Sequence, residues 1–200
     1  MPNNIYLDDK YINLYLGEKD QKFKFQYSNG NDTFVAKSIK RPIEKIGNID
    51  VDNGYYDLES AYGYGGFLTN SVDKDFLHEA VTKYSQRCLE ENIIAEFIRF
   101  HPFNKFIDYG EQFLNFSTVD RNIVVVDLEC DILSSYTSKT RSYINKAMQQ
   151  VQFQESLDVA KFIELYNATM KKNDAAGFYF FPNQLYHPLV QLEYARLYEV

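Results

Sequence analysis

The sequence predicts a mixed fold, α/β or α+β, with helices packed on a sheet. Three observations carry that expectation. Two short apolar runs flank a turn near the N-terminus, one long amphipathic helix lies in the middle, and strand-like runs alternate with helical stripes towards the C-terminus.

The elements follow in order. Phe23 to Tyr27 alternate, and Thr33 to Ile39 resume after Ser28-Asn29-Gly30-Asn31-Asp32, which reads as a hairpin. Tyr55 to Gly66 is dense in Tyr and Gly and reads as a loop. From Asp73 to Glu91, Phe76, Leu77, Ala80, Val81, Tyr84, Cys88 and Leu89 form one helical stripe. Asp73 and Asp75 suit the positive end of that helix. Ile93 to Phe100 is almost continuously apolar and predicts a central strand covered on both faces. Phe113 to Thr118 and Asn122 to Leu128 read as two further strands, the second with three consecutive valines. A helix capped by Ser134 or Ser135 runs to about Gln150, then a short strand from Val151 to Gln154, then a helix capped by Ser156. Val159, Phe162, Ile163, Tyr166 and Met170 are its expected buried face. Tyr194 to Val200 reads as a last strand whose apolar face continues into a partner, so the final domain is expected to be incomplete in this chain.

Composition narrows the function classes. A net charge of −7 argues against a surface that binds DNA or RNA everywhere, because such binding needs phosphate neutralised by Lys and Arg. The 17 Tyr and 16 Phe fit a cleft that holds a polar ligand, and fit an A+T-rich genome equally well. Cys88 and Cys130 form neither a disulfide framework nor a metal pattern, so no metal is expected. The N-terminus lacks a basic and an apolar region of signal-peptide type, and no apolar run reaches the ~20 residues that cross a bilayer. The expected location is cytoplasmic, with reduced thiols and no transmembrane segment, while peripheral membrane contact stays open.

Three segments carry candidate chemistry. In Tyr62-Gly63-Tyr64-Gly65-Gly66 the glycines permit close backbone approach and the tyrosines offer rings or hydroxyls; a tight turn packed on the core explains them as well. Arg99 and His101 stand at the end of an apolar strand, and Pro102 restricts His101 to an extended conformation. Arg99 offers a fork for a carboxylate or phosphate, and His101 a general base or a hydrogen-bond partner. The alternative is a pair that caps a sheet edge. Lys139, Arg141 and Lys146 lie in a stretch from Ser134 to Gln154 with no acid, which suits phosphate or RNA backbone, or else is a solvated face. A diphosphate cradle of the R/Q-x-x-G-x-G/A type is absent.

Taken together, Tyr56 to Gly66, Arg99 to Pro102, Arg121 to Leu128, Lys139 to Arg141 with Lys146-Ala147, and Phe162 to Ala175 with Phe178 to Phe180 resemble the FemAB-type acyltransferases. The likeness covers residues 55 to 181 or so, and its motifs are weak singly and more specific in combination. It implies two acyl-CoA N-acyltransferase-like (GNAT-like) domains. Residues 1–133 would be the first, on the acceptor side, and 134–200 the start of a second. It implies transfer of an acyl or aminoacyl group onto an amine of a peptidoglycan or surface-glycan precursor. The donor would be acyl-CoA or aminoacyl-tRNA, with no tightly bound cofactor. Tyr62 to Gly66, Arg99 and His101 would line the acceptor groove. The chemistry of the residues, apart from the resemblance, makes His101 the candidate base that takes the amine proton. Lys139, Arg141 and Lys146 would lie near donor or acceptor phosphates. A non-catalytic module that binds a nucleotide- or lipid-linked glycan precursor is the alternative, and a fragment whose last strand pairs with another chain is a third reading.

Overall fold

The computed structural model describes residues 4–52 and 54–200, and divides into two compact units, Met1–Val119 and Asp120–Val200. The resemblance expects its boundary at residue 133.

The first unit is mixed α/β, built on a mixed sheet. A 3-10 turn at Ile5–Leu7 leads into α1 (Asp9–Asn13). The hairpin of β1 (Gln21–Asn29) and β2 (Asp32–Pro42) then forms around Gly30, whose φ of +59° suits a residue without Cβ. A small hairpin, β3 (Lys45–Ile46) and β4 (Ile49–Asp50), precedes β5 (Tyr56–Glu59) and β6 (Leu68–Thr69). Helix α2 (Lys74–Glu90) and β7 (Ile93–Phe97) follow, then a 3-10 turn at Lys105–Tyr109 and α3 (Gly110–Phe113). The strand order is β1-β2-β5-β7, with β6 also on β2; all pairs are antiparallel except β5 with β7.

Alternation along β2 places Phe34, Ala36, Ser38 and Lys40 on one face, and all four are buried. Phe76, Leu77, Ala80 and Tyr84 of α2 are buried too and join a cluster with Phe34, Leu58, Phe67 and Phe106. The Tyr84 ring meets Phe23, Phe25, Phe34 and Phe67 edge-on at 5.3–6.3 Å between centroids. At the end of α2, Glu91 takes the Lys40 ammonium at 2.7 Å, and that ammonium also lies 4.2 Å over the Tyr56 ring. At the other end, the Asp73 carboxylate accepts the Asp75 N–H at 2.9 Å. Asp73→Ala is expected to lose about 1 kcal/mol, read as a melting temperature several degrees lower.

The second unit holds α4 (Ile132–Ser135), α5 (Ser138–Met148), β8 (Gln154–Glu155), α6 (Val159–Lys172), a 3-10 turn at Gly177–Tyr179, α7 (Asn183–Val190) and β9 (Tyr198–Glu199). Tyr186 packs edge-on to Phe162 at 5.5 Å and lies 5.8 Å from Tyr166, and Val159, Leu185 and Leu192 are buried. The hydroxyl of Tyr166 donates to the Tyr179 carbonyl at 2.8 Å.

Several expectations are corrected. The apolar run from Ile93 is the edge of the sheet, not its centre: β7 pairs only with β5 among the described residues, ends at Phe97, and exposes Ile94 and Phe97. Residues 113–118 and 122–128 are not strands. Residue 113 ends α3, and the valine run joins no ladder, with Val124 92% exposed. Strand propensity is realised only against a partner strand, and none is paired with it here. The strands read at Val151 to Gln154 and Tyr194 to Val200 shrink to β8 and β9, which pair with each other. Asp158, not Ser156, caps α6, its carboxylate accepting the Lys161 N–H at 2.9 Å. Helix α7, with Pro188 inside it, had no sequence expectation.

Candidate functional site

Two of the three candidate segments meet through backbone pairing in the first unit. The Gly65 N–H donates to the Arg99 carbonyl at 2.7 Å, the His101 N–H donates to the Gly65 carbonyl at 3.2 Å, and Gly65 and Phe100 form a parallel bridge. The tyrosine-glycine turn is therefore an extension of the β5–β7 pairing beyond its regular end. Asn104 fastens the far side, donating from its side chain to the Phe67 carbonyl at 3.1 Å.

The third wall comes from the N-terminal segment, which the sequence did not single out. Tyr6 lies edge-on to Tyr64 at 5.4 Å and tilted to His101 at 6.1 Å; Tyr64 meets His101 edge-on at 5.3 Å. Buried Tyr11 donates its hydroxyl to the Tyr62 carbonyl at 2.8 Å, and Tyr15 stacks on Tyr62 at 6.2 Å. The glycines are required by the protein's own packing. At Gly63, φ is +106° and an added Cβ would stand 2.5 Å from Tyr6 Cε1. At Gly66, φ is +113° and an added Cβ would collide with the Asn104 amide and the Phe100 ring.

His101 is half-buried, and that burial holds its imidazole below the ordinary value, so the ring is neutral at pH 7. Its Nδ1 accepts the Phe103 N–H at 3.2 Å. A neutral ring that accepts at Nδ1 carries its proton on Nε2. His101 thus offers a donor at Nε2. Arg99 is exposed, and its guanidinium has no hydrogen bond or ion pair among the described residues.

The third candidate segment belongs to the second unit. Lys139, Arg141 and Lys146 all lie on α5. The Arg141 guanidinium is occupied, donating to the carbonyls of Tyr136 at 2.6 Å and Ser134 at 3.3 Å, so it ties α4 to α5. Lys139 and Lys146 are exposed.

Two titratable clusters were not anticipated. Glu96, a lone acid in the apolar run of β7, accepts the Tyr84 hydroxyl at 2.7 Å and the Ser38 hydroxyl at 3.3 Å. Burial outweighs both bonds and pushes its carboxyl up to about 7. Cys88 beside it is pushed up to about 11 by burial and then by Glu96, so it is an unreactive thiol. Arg41 forks onto Asp57 at 2.9 and 3.0 Å and also pairs with Glu59. Arg41, Asp57, Lys19 and Glu44 line an open groove of about 600 Å³. A second groove, of about 460 Å³, runs along α2 by His78, Leu89 and Phe113. Neither takes in the turn or His101. Among the described residues no His, Cys, Asp and Glu cluster could hold a metal ion. No described helix is long and apolar enough to cross a membrane.

Comparison with protein-family models, with curated proteins and with solved structures finds no match.

Proposed function

We propose that the chain is an acyltransferase of FemAB type with GNAT-like architecture, acting in the cytoplasm, whose first unit holds the acceptor. It would move an acyl or aminoacyl group onto an amine of a cell-envelope precursor. The observation that supports this reading is the pairing of Gly65 with Arg99 and His101, which joins two motifs 35 residues or so apart into one site.

In the reaction the free amine attacks the acyl carbonyl, the bond to the donor's sulfur or oxygen breaks, and a proton from the attacking nitrogen leaves with the donor. A neutral His101 with its proton on Nε2 suits the oxygen of the tetrahedral intermediate as a hydrogen-bond donor, in place of the base role expected from the sequence. Exposed Arg99 suits an acceptor carboxylate or phosphate.

A second reading, a non-catalytic module for a nucleotide- or lipid-linked glycan precursor, is favoured by the tightness of the turn, where Tyr6 fills the space beside Gly63. One titration separates the two. The chain is mixed with a nucleotide-linked muropeptide, and then with acyl-CoA or aminoacyl-tRNA. Transfer that falls about 100-fold in His101→Ala, with acceptor binding retained, is the expected outcome for the enzyme. Acceptor binding without transfer favours the module. Transfer unchanged in His101→Ala removes His101 from the mechanism, and absence of acceptor binding removes both readings.

A further inference from the structure

We infer that two copies of this chain associate by strand addition, the exposed run Asn122–Leu128 of one copy pairing with the open edge of β7 in the other. This does not rest on the acyl-transfer reading.

The sheet has two edges, β1 and β7, and they differ in chemistry. β1 carries exposed Lys22 and Lys24, the kind of side chain that keeps an edge from pairing with another chain. β7 has no lysine, and its Ile94 and Phe97 are 55% and 60% exposed. Its one charged residue, Glu96, is turned to the Tyr84 and Ser38 hydroxyls of the same unit. The bridge of Gly65 with Phe100 carries the line of the strand past Phe97. Among the described residues no strand lies on the outer side of β7.

The run Asn122–Leu128 has what such an edge takes. Ile123 to Val126 are four consecutive β-branched residues, in a stretch with no Gly or Pro and with Asp127 as its one charge. That is the composition of a strand that pairs through its main chain. Yet the run joins no ladder, and Ile123, Val124, Val125, Val126 and Leu128 are all exposed, Val124 at 92%. Both of its faces meet water, whereas a strand added to a sheet covers one. Contiguous apolar surface of this kind marks an interaction site.

The occupant is a second copy, because one chain carries both the accepting edge and the donating run, and the structure leaves each without the other kind of partner. Two copies satisfy each other reciprocally, which closes the assembly at a dimer. Main-chain hydrogen bonds supply the attraction, as in other strand additions. The charges agree. The run ends at Asp127, and exposed Arg99, with no ion pair among the described residues, stands just past β7. A parallel register that sets these two side by side also sets Val125 beside Phe97.

Light scattering during gel filtration, run over a series of concentrations, is expected to find a dimer at the higher ones. Phe97→Lys and Val125→Lys should each leave a monomer there, with the circular dichroism of the wild type, since both side chains are exposed. An equimolar mixture of the two variants should associate again, more weakly than wild type, because the intact run of the first meets the intact β7 of the second. A wild type that stays monomeric at every concentration overturns the assignment. So does a dimer that survives either substitution, and so does a mixture that stays monomeric. Valine runs pairing with each other would be lost in Val125→Lys alone, and a contact at another surface in neither variant.

Discussion

Glu96 takes stability away as pH rises from about 4.5 to about 7, and in Glu96→Gln that contribution is gone. The sign follows from where the proton is held. The folded carboxyl keeps its proton up to about 7, whereas an exposed one gives it up near 4.5. Below about 4.5 both states hold the proton and the contribution is complete. Between the two values only the folded state holds it, so each increment of pH favours unfolding. Above about 7 the folded state carries a buried charge, and the loss reaches about 3 kcal/mol at most. Other groups titrate in the opposite sense. His101, held low by burial, favours the folded state as pH rises towards its ordinary value, and Asp9 and Glu91, held low mainly by lysine and arginine bonds against their burial, cost stability in acid. They are common to both proteins and cancel in the difference. Urea unfolding of wild type and Glu96→Gln across that range measures it. A difference that stays flat with pH would mean that Glu96 is ionised in the fold.

Gly63→Ala is expected to cost about 3 kcal/mol and to disturb His101. Two effects add: an alanine at φ +106° is strained, and its methyl would overlap the Tyr6 ring. Gly30→Ala separates them, because Gly30 also has positive φ but nothing within 4 Å of an added Cβ. That variant should cost about 1 kcal/mol. Tyr6 displaced from Gly63 uncovers His101, so the imidazole should titrate nearer its ordinary value, an NMR observable. Equal costs for the two alanines would show that Tyr6 yields freely and does not hold the turn.

The parts of the fold legible in the sequence were those whose pattern and partner lie close together in the chain. The hairpin around Gly30 and the stripe Phe76-Leu77-Ala80-Tyr84 are both local, and both form, although Leu89 at the end of the stripe is exposed. The apolar run at Ile93 was readable as a strand but not as an edge, since the number of neighbours a strand has is a property of the whole sheet. The valine run had propensity without a partner. In the candidate site, Tyr62 to Gly66 and Arg99 with His101 were visible as motifs, but their bridge through Gly65 depends on three-dimensional register. Tyr6 and Tyr11 escaped notice because a lone aromatic outside any stripe carries no periodic signal. Glu96 is a single acid within IIAEFIRF, and its burial depends on Tyr84 and Ser38, which come from other elements.

The ion pair between Lys40 and Glu91 limits how α2 can move. The Lys40 side chain is only 11% exposed, and its partner Glu91 caps the C-terminal end of the helix. Sliding α2 by one residue along the sheet would carry Glu91 about 1.5 Å away and turn it through about 100°, leaving an ammonium enclosed without a counter-charge. The pair therefore sets the register of α2 on the sheet, and a one-residue slip of the helix is penalised by an enclosed ammonium without a counter-charge.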